Sequence, residues 1–395
     1  MQTYLSHLEC SLCGAEFPYR TPRFVCESCG SALFVRYDLS KASRTFSPAR
    51  VKQRGVSLWR FREVLPVQHE QNIVTLGESM TPVLHFEKTG RKIGLPRLYV
   101  KDESMLPTGS FKSRGMTVAV SKAKEFGVHT VAAPSAGNAG GALAAYAARA
   151  GMKSVLVVPR DTPEINIAEI RQYTEHLNLI DGLINDAGAV IKKEVVESGW
   201  YDCSTMKEPC RVEGKKIMGY EVAEQFNWVL PDVIVYPTGG GTGLAGMWKA
   251  FEEMETMGWI GEKRPRMIAV QSSGCPPLVR AWRRNAEICE PYNPSWGFQT
   301  IASGLRVPKP FADRLLLGIL KKSRGSAVEV SDDKIKEAMR YYAREDGLIF
   351  CPEGAAAMQA VCEMKERDEL NERDSVLVYN TGSGLKYIEL LRREE

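Results

Sequence analysis

Short apolar runs alternate with amphipathic stretches along most of the chain. Leu98-Tyr99-Val100 and residues 130–133, 154–158, 233–236, 267–270 and 376–379 are brief apolar segments, which predicts buried strands. Between them, residues 116–126, closed by Gly127, and the alanine-rich stretch 139–150, closed by Gly151, read as helices. Strand followed by helix, repeated, predicts an α/β protein with largely parallel sheets covered on both faces. One unit recurs at 131–150, 233–251 and 376–391, where an apolar strand runs into a glycine-rich turn and then a helix. In open α/β sheets such turns lie at the carboxyl ends of strands, where ligands bind. Upstream the pattern fades. Residues 38–72 are mixed and polar, broken by Pro48 and Pro66, and read as a connector with short helices.

At 395 residues the chain can hold two sizeable cores. The pattern divides it into a first segment at 1–37, the connector at 38–80, an α/β domain at 81–205 and a second at 206–395. Its 52 basic and 48 acidic residues nearly balance, which gives no reason to expect a nucleic-acid or membrane partner. The N-terminal residues lack the basic region and apolar core of a secretion signal. The most apolar stretch, 142–158, is interrupted by Arg149, Gly151 and Lys153. Ten cysteines, four clustered and six scattered, suit a reducing compartment, so a cytoplasmic location is expected.

The four clustered cysteines change the picture of the first segment. Cys10-x2-Cys13 and Cys26-x2-Cys29 are separated by twelve residues, and each pair can place two thiolates on one metal ion. Gly14 and Gly30 follow the second cysteine of each pair, where a tight turn needs permissive backbone. The expected occupant is a structural zinc. Four sulfur ligands would leave it no open position for catalysis. Reduced turn motifs or an iron site are the alternatives.

Four further places carry candidate chemistry. Lys112 follows the turn Pro107-Thr108-Gly109-Ser110-Phe111 and is a candidate Schiff-base lysine, with Arg114 as a nearby charge that would lower its pKa. The run Thr238-Gly239-Gly240-Gly241-Thr242-Gly243 offers bare backbone and a helix dipole to an anion, as a phosphate cradle does. Gly241-x-Gly243-x-x-Gly246 also fits a dinucleotide pattern, but the next strand ends at Gln271 where an acid for the ribose is expected. Ser135-Ala136-Gly137-Asn138 suits a carboxylate, and the Asn138 amide suits a phenolic oxygen, with helix capping by Asn138 as the purely structural alternative. Thr381, in Asn380-Thr381-Gly382-Ser383-Gly384, places a hydroxyl at the end of a strand, either as a turn residue or against a ring nitrogen. Together these supply what pyridoxal 5'-phosphate and an amino-acid substrate require.

With these motifs the chain resembles the tryptophan-synthase-β type (fold type II) of pyridoxal-phosphate enzymes, and within it the threonine synthases. The resemblance spans roughly 76–387. It rests on Pro107-Thr108-Gly109-Ser110-Phe111-Lys112, Ser135-Ala136-Gly137-Asn138, Arg211-Val212-Glu213-Gly214-Lys215-Lys216, the Gly239 to Gly243 loop and Thr381-Gly382-Ser383-Gly384-Leu385-Lys386. It implies two doubly wound open-sheet domains with a zinc-ribbon-like segment, and a homodimer. It further implies that Lys112 holds the cofactor, Asn138 bonds its ring hydroxyl, Gly239 to Gly243 bind its phosphate and Thr381 meets its ring nitrogen. The implied reaction converts O-phosphohomoserine and water to L-threonine and phosphate, with an ammonia-lyase acting on threonine or serine as the alternative. Three departures bear on the substrate. Ser113 replaces the usual Asp, the triple glycine is closer to dehydratases, and Asn-Ser-x-Asn-Pro-x-Arg reads Thr205-Met206-Lys207-Glu208-Pro209-Cys210-Arg211. Arg211, Lys207 and Lys215 are the candidates to hold a leaving phosphate, with surface ion pairs as the alternative.

Overall fold

The computed structural model describes residues 2–291 and 293–392. Strands β1 (Leu5–Cys10), β2 (Glu16–Phe17) and β3 (Leu33–Tyr37) form an antiparallel ribbon in the order β2-β1-β3. The later strands are β4 (Val83–His85), β5 (Leu98–Asp102), β6 (Thr130–Pro134), β7 (Lys153–Pro159), β8 (Leu177–Ile180) and β9 (Tyr201–Asp202). They continue with β10 (Val233–Pro237), β11 (Arg266–Ser272), β12 (Ser326–Val330) and β13 (Val376–Asn380). The long helices that matter below are α1 (Lys112–Glu125), α2 (Asn138–Arg149), α3 (Glu164–Tyr173), α4 (Ile184–Ser198), α5 (Cys210–Gln225), α6 (Thr242–Thr256) and, near the C-terminus, α7 (Pro352–Glu366).

The chain makes two compact units that interleave in sequence. The first comprises Met1–Met80, Lys112–Trp228 and Ala245–Glu262, and the second Thr81–Phe111, Val229–Leu244 and Lys263–Glu395. The first unit carries the ribbon, the short connector helices Leu39–Thr45 and Pro48–Lys52, and a parallel sheet in the order β8-β7-β6-β9. Alternation explains why this sheet is covered on both sides. Val131, Ala133, Leu156 and Val158 pack with Met116, Val120 and Leu143, while Ala132 and Val157 pack with Ala187 and Ile191 on the other face.

The second unit is a six-stranded sheet ordered β12-β11-β10-β13-β5-β4, parallel except for β4. Its core joins Val100, Val233, Val235, Ile268 and Val378 to the alanine-rich face of α7, through Ala355, Ala356 and Val361.

The expected interior strands are present, each extended by one to three residues. Strands β4, β8, β9 and β12 were not expected, and all four lie at sheet edges, where one flank is free and the sequence need not be continuously apolar. Helix α1 begins at Lys112, four residues ahead of the expected start. Ser113, Arg114 and Gly115 are fully buried in its first turn, so tertiary packing overrides a local composition that reads as loop.

Candidate active site

Each of the two larger sheets reverses its direction of growth once, and the candidate residues other than Lys112 and the cysteine quartet lie at those two points. In the second unit the chain steps from β10 to β11 to β12, then places β13 on the other side of β10. A crevice opens at the carboxyl ends where strand order reverses. The glycine loop leaves β10 at that position and Thr381 leaves β13. In the first unit the order runs from β6 to β7 to β8, and β9 then takes the opposite side of β6. There the Ser135 to Asn138 loop follows β6, and the segment carrying Lys207 and Arg211 follows β9.

At Gly239, Gly241 and Gly243 neighbours leave no space for side chains. A Cβ on Gly239 would strike the Gly304 carbonyl oxygen, and one on Gly241, at φ +79°, would strike the Leu316 side chain. The turn that holds Gly304 is fixed by Glu353, whose Oε1 accepts the Gly304 N–H at 2.8 Å and the Tyr387 hydroxyl at 2.8 Å. Gln271 proves structural. Its Nε2 donates to Thr238 O at 3.1 Å, and its Oε1 accepts the Leu278 N–H at 2.9 Å, which shapes the loop from behind. Helix α6 starts at Thr242, so the positive end of its dipole lies at the loop.

Thr381 is buried, and among the described residues its hydroxyl meets one polar partner, Cys351 Sγ at 3.7 Å. Its carbonyl accepts the Phe111 N–H at 3.0 Å. The residue before Lys112 is thereby pinned to the exit of β13. The turn ahead of it holds Thr108 at φ +59°, an uncommon conformation for a β-branched residue. Lys112 itself, half-buried, is the first residue of α1.

Arg114 does not play the part expected of it. Its guanidinium is fully buried and makes two hydrogen bonds to Glu221, at 2.7 and 2.8 Å. The positive charge proposed to depress Lys112 is neutralised by that partner. Ser113 is also buried, and it shares the Tyr146 hydroxyl with Glu78. Burial, then the charge of Glu78, pushes the Tyr146 hydroxyl well above its usual range. Glu78 was not anticipated, since only its tertiary contacts with Tyr146 and with Thr117 of α1 place a carboxylate near the start of that helix.

In the β6 loop, the Ser135 hydroxyl donates to Gly137 O at 2.9 Å and accepts the Gly140 N–H at 2.8 Å. Ser135 therefore ties the loop to the start of α2. Asn138 does not cap that helix. Gly137 occupies the N-cap without a side-chain bond, and Asn138 Oδ1 is buried with no hydrogen-bond partner.

After β9, Met206 adopts φ +63° and buries its side chain. Arg211 is 1% exposed, and its Nη1 donates to Cys203 O at 2.6 Å. Its Nε is buried without a hydrogen-bond partner, and among the described residues no carboxylate forms an ion pair with it. Burial lowers the Arg211 pKa, with nearby Cys203 and Glu208 acting the other way. Lys215, one turn along α5, is fully buried and Lys207 partly so. Surface ion pairing is thus excluded for Arg211 and Lys215.

The cysteine quartet closes as expected. Cys10 and Cys29 sulfurs lie 3.4 Å apart, Cys13 and Cys26 3.7 Å, and Cys13 and Cys29 3.6 Å. Gly14 and Gly30 both have φ +72°, as the tight turns required.

A protein-family model described as "Pyridoxal-phosphate dependent enzyme" matches residues 74–382. The chain belongs to the pyridoxal-phosphate-dependent enzymes. It is 34% identical over 379 residues to a threonine synthase of Methanocaldococcus jannaschii, covering 95% of this chain and 92% of the relative. A threonine synthase of Methanosarcina acetivorans is also 34% identical, over 382 residues, with 96% and 92% covered. Among solved structures, maize serine racemase superposes with a TM-score of 0.65 at 22% identity, covering 77% of this chain and 88% of that one. A threonine deaminase from Solanum lycopersicum gives 0.65 at 20% identity, with 84% and 92% covered. At such identities these two establish the shared fold of this pyridoxal-phosphate family: two doubly wound α/β sheets, here with a ribbon added. No helix among the described residues is long and apolar enough to cross a membrane.

Proposed function

We propose that this pyridoxal-phosphate enzyme is a threonine synthase-like carbon–oxygen lyase, converting O-phosphohomoserine and water to L-threonine and phosphate. The observation that carries the reading is Arg211, a fully buried guanidinium with no ion-pair partner among the described residues. A buried charge offset only by carboxylates outside ion-pair distance, Glu208 and Asp202, is costly, and a substrate phosphate would supply a direct counter-ion. Similarity to threonine synthases over nearly the whole chain supports the same reaction.

The residues present suit the cofactor. The Gly239 to Gly243 loop keeps a bare cradle at a helix N-terminus, Asn138 Oδ1 is an orphaned acceptor for a ring hydroxyl, and the Thr381 hydroxyl is a neutral donor for a ring nitrogen. Bound there, the cofactor would act as an electron sink for charge developing on the substrate. Lys112 Nζ would hold the cofactor, and its free amine would take protons from the substrate Cα and Cβ and return them at Cα and Cγ. The Ser135, Ala136 and Gly137 backbone holds the α-carboxylate. Arg211, with Lys207 and Lys215, holds the phosphate that departs from Cγ, and water adds at Cβ.

The ribbon reads as a structural zinc site. A tetrahedral tetrathiolate with metal–sulfur bonds of about 2.3 Å has edges of about 3.8 Å, close to the sulfur separations given above.

A second reading, a β-eliminating ammonia-lyase, is favoured by Thr205 and Met206, which replace a polar pair and place a buried thioether where a phosphate would gain from hydroxyl or amide donors. O-phosphohomoserine, threonine and serine, supplied in turn, separate the two. Release of inorganic phosphate from the first is expected. Oxoacid from threonine or serine, with no phosphate from O-phosphohomoserine, would overturn the synthase reading.

A further inference from the structure

Behind Thr381 stands a chain of buried polar groups that the sequence did not announce. Asn380 donates from Nδ2 to Asp102 Oδ1 at 2.8 Å, which turns its carbonyl oxygen toward Cys351. That Oδ1 accepts the Cys351 backbone N–H at 3.2 Å and lies 3.3 Å from Cys351 Sγ. The sulfur in turn accepts the Gly354 N–H at 3.3 Å as the N-cap of α7. Asp102, Asn380, Cys351 and Thr381 are all buried. A thiol has one hydrogen, and Asn380 Oδ1 is the nearer and stronger acceptor for it. The sulfur therefore offers lone-pair density to the Thr381 hydroxyl.

We propose that Cys351 is a non-competing neighbour of Thr381, a neutral and weak acceptor whose sulfur fills the space beside the hydroxyl and leaves its proton available to the pyridine nitrogen of the cofactor. The inference rests on the reading that Thr381 meets that nitrogen. Sulfur accepts hydrogen bonds poorly, so a pyridine nitrogen out-competes it. A hydroxyl oxygen at the same place would be a stronger competitor, and a carboxylate would accept the Thr381 hydrogen bond outright, leaving the hydroxyl oxygen as an acceptor that favours a protonated ring. Burial, reinforced by the charge of Glu353, pushes the Cys351 thiol up and keeps it neutral.

The test compares Cys351→Ser, Cys351→Ala and Thr381→Val, each stripped of cofactor and titrated with pyridoxal 5'-phosphate. Dissociation constants and the visible band of the bound cofactor are recorded without substrate, and circular dichroism confirms folding. Thr381→Val is expected to weaken binding about tenfold. Cys351→Ser is expected to weaken it about threefold to tenfold and shift the band, whereas Cys351→Ala stays within about twofold of wild type. A purely structural cysteine predicts the reverse order, because serine keeps the α7 cap that alanine loses. Serine at least as good as alanine, with Thr381→Val impaired, would overturn the Cys351 proposal and leave the Thr381 reading standing. Wild-type binding by Thr381→Val would overturn both. If Cys351→Ser fails to fold, Cys351→Thr supplies the competing hydroxyl instead: binding weakened by about threefold or more supports the proposal, and wild-type affinity ends it.

Discussion

Two facing glycines set how closely the helix that begins at Lys112 approaches the helix that carries Arg211. A Cβ on Gly214 of α5 would strike the Arg114 carbonyl oxygen and lie 2.9 Å from Gly115 Cα in α1. A Cβ on Gly115 would lie 2.5 Å from Lys215 Nζ, the far end of a flexible side chain, and 2.9 Å from Arg211 O. Backbone cannot yield as a lysine tip can. Gly214→Ala should therefore cost about 3 kcal/mol in a denaturant titration, and Gly115→Ala about 1–2 kcal/mol. A Gly214→Ala midpoint equal to wild type would mean that the helices separate freely. At this scale the sequence was most legible where chemistry dictates residue type, as at Lys112 and the glycine loop. Arg114 misled because its partner, Glu221, lies far along the chain. Cys351 and Glu78 were invisible because their significance comes from contacts with Thr381 and Tyr146, not from any motif.

Interior strands announced themselves by short apolar runs, because a strand buried on both faces has little choice of residue. Edge strands did not, and neither did the order in which strands pair. That order matters most, since it places the glycine loop and Thr381 on adjacent strands. The β10–β13 pairing is clamped at its start by Asp232, whose Oδ2 accepts the Ser375 N–H at 2.9 Å and the Ser375 hydroxyl at 2.8 Å, while Oδ1 meets Lys263 at 2.5 Å. Burial alone would raise the Asp232 pKa, but Lys263 and Ser375 outweigh it and hold the carboxyl down at about 2. A folded-state pKa below the unfolded one stabilises the protein above the unfolded value, and that contribution fades as pH falls through the folded value. The contribution should thus be complete above about pH 4 and disappear toward pH 2, amounting to about 1–2 kcal/mol after allowance for the exposed lysine. Asp232→Asn should lose this amount near neutrality and show a shallower loss of stability between pH 4 and 2 than wild type. Parallel acid-unfolding curves for the two proteins would rule out the clamp.

The ribbon is joined to the rest of the first unit by buried charge as well as apolar contact. Tyr37, the last residue of β3, donates its hydroxyl to Glu213 Oε2 at 2.8 Å. Glu213 also binds Lys216 at 2.6 Å and Lys249 at 2.9 Å, both lysines reach Glu253, and Tyr220 completes the group through Glu253 at 2.8 Å. Two carboxylates and two ammoniums balance in a site that is essentially closed to water, so removing one donor leaves a carboxylate under-satisfied rather than rehydrated. A ribbon this small cannot bury enough surface to fold alone, and under the proposed zinc site it would depend on the metal held by Cys10, Cys13, Cys26 and Cys29. Loss of the metal should therefore withdraw Tyr37 from Glu213. This yields a coupled expectation. Tyr37→Phe in metal-replete protein should cost about 1–3 kcal/mol, and a strong thiol-compatible chelator should lower the melting temperature of wild type. In chelated protein the same substitution should cost almost nothing, because the contact it removes has already gone. If instead the two losses add fully, the ribbon keeps Tyr37 in place without its metal, and the link between the cysteine quartet and the buried charges does not exist.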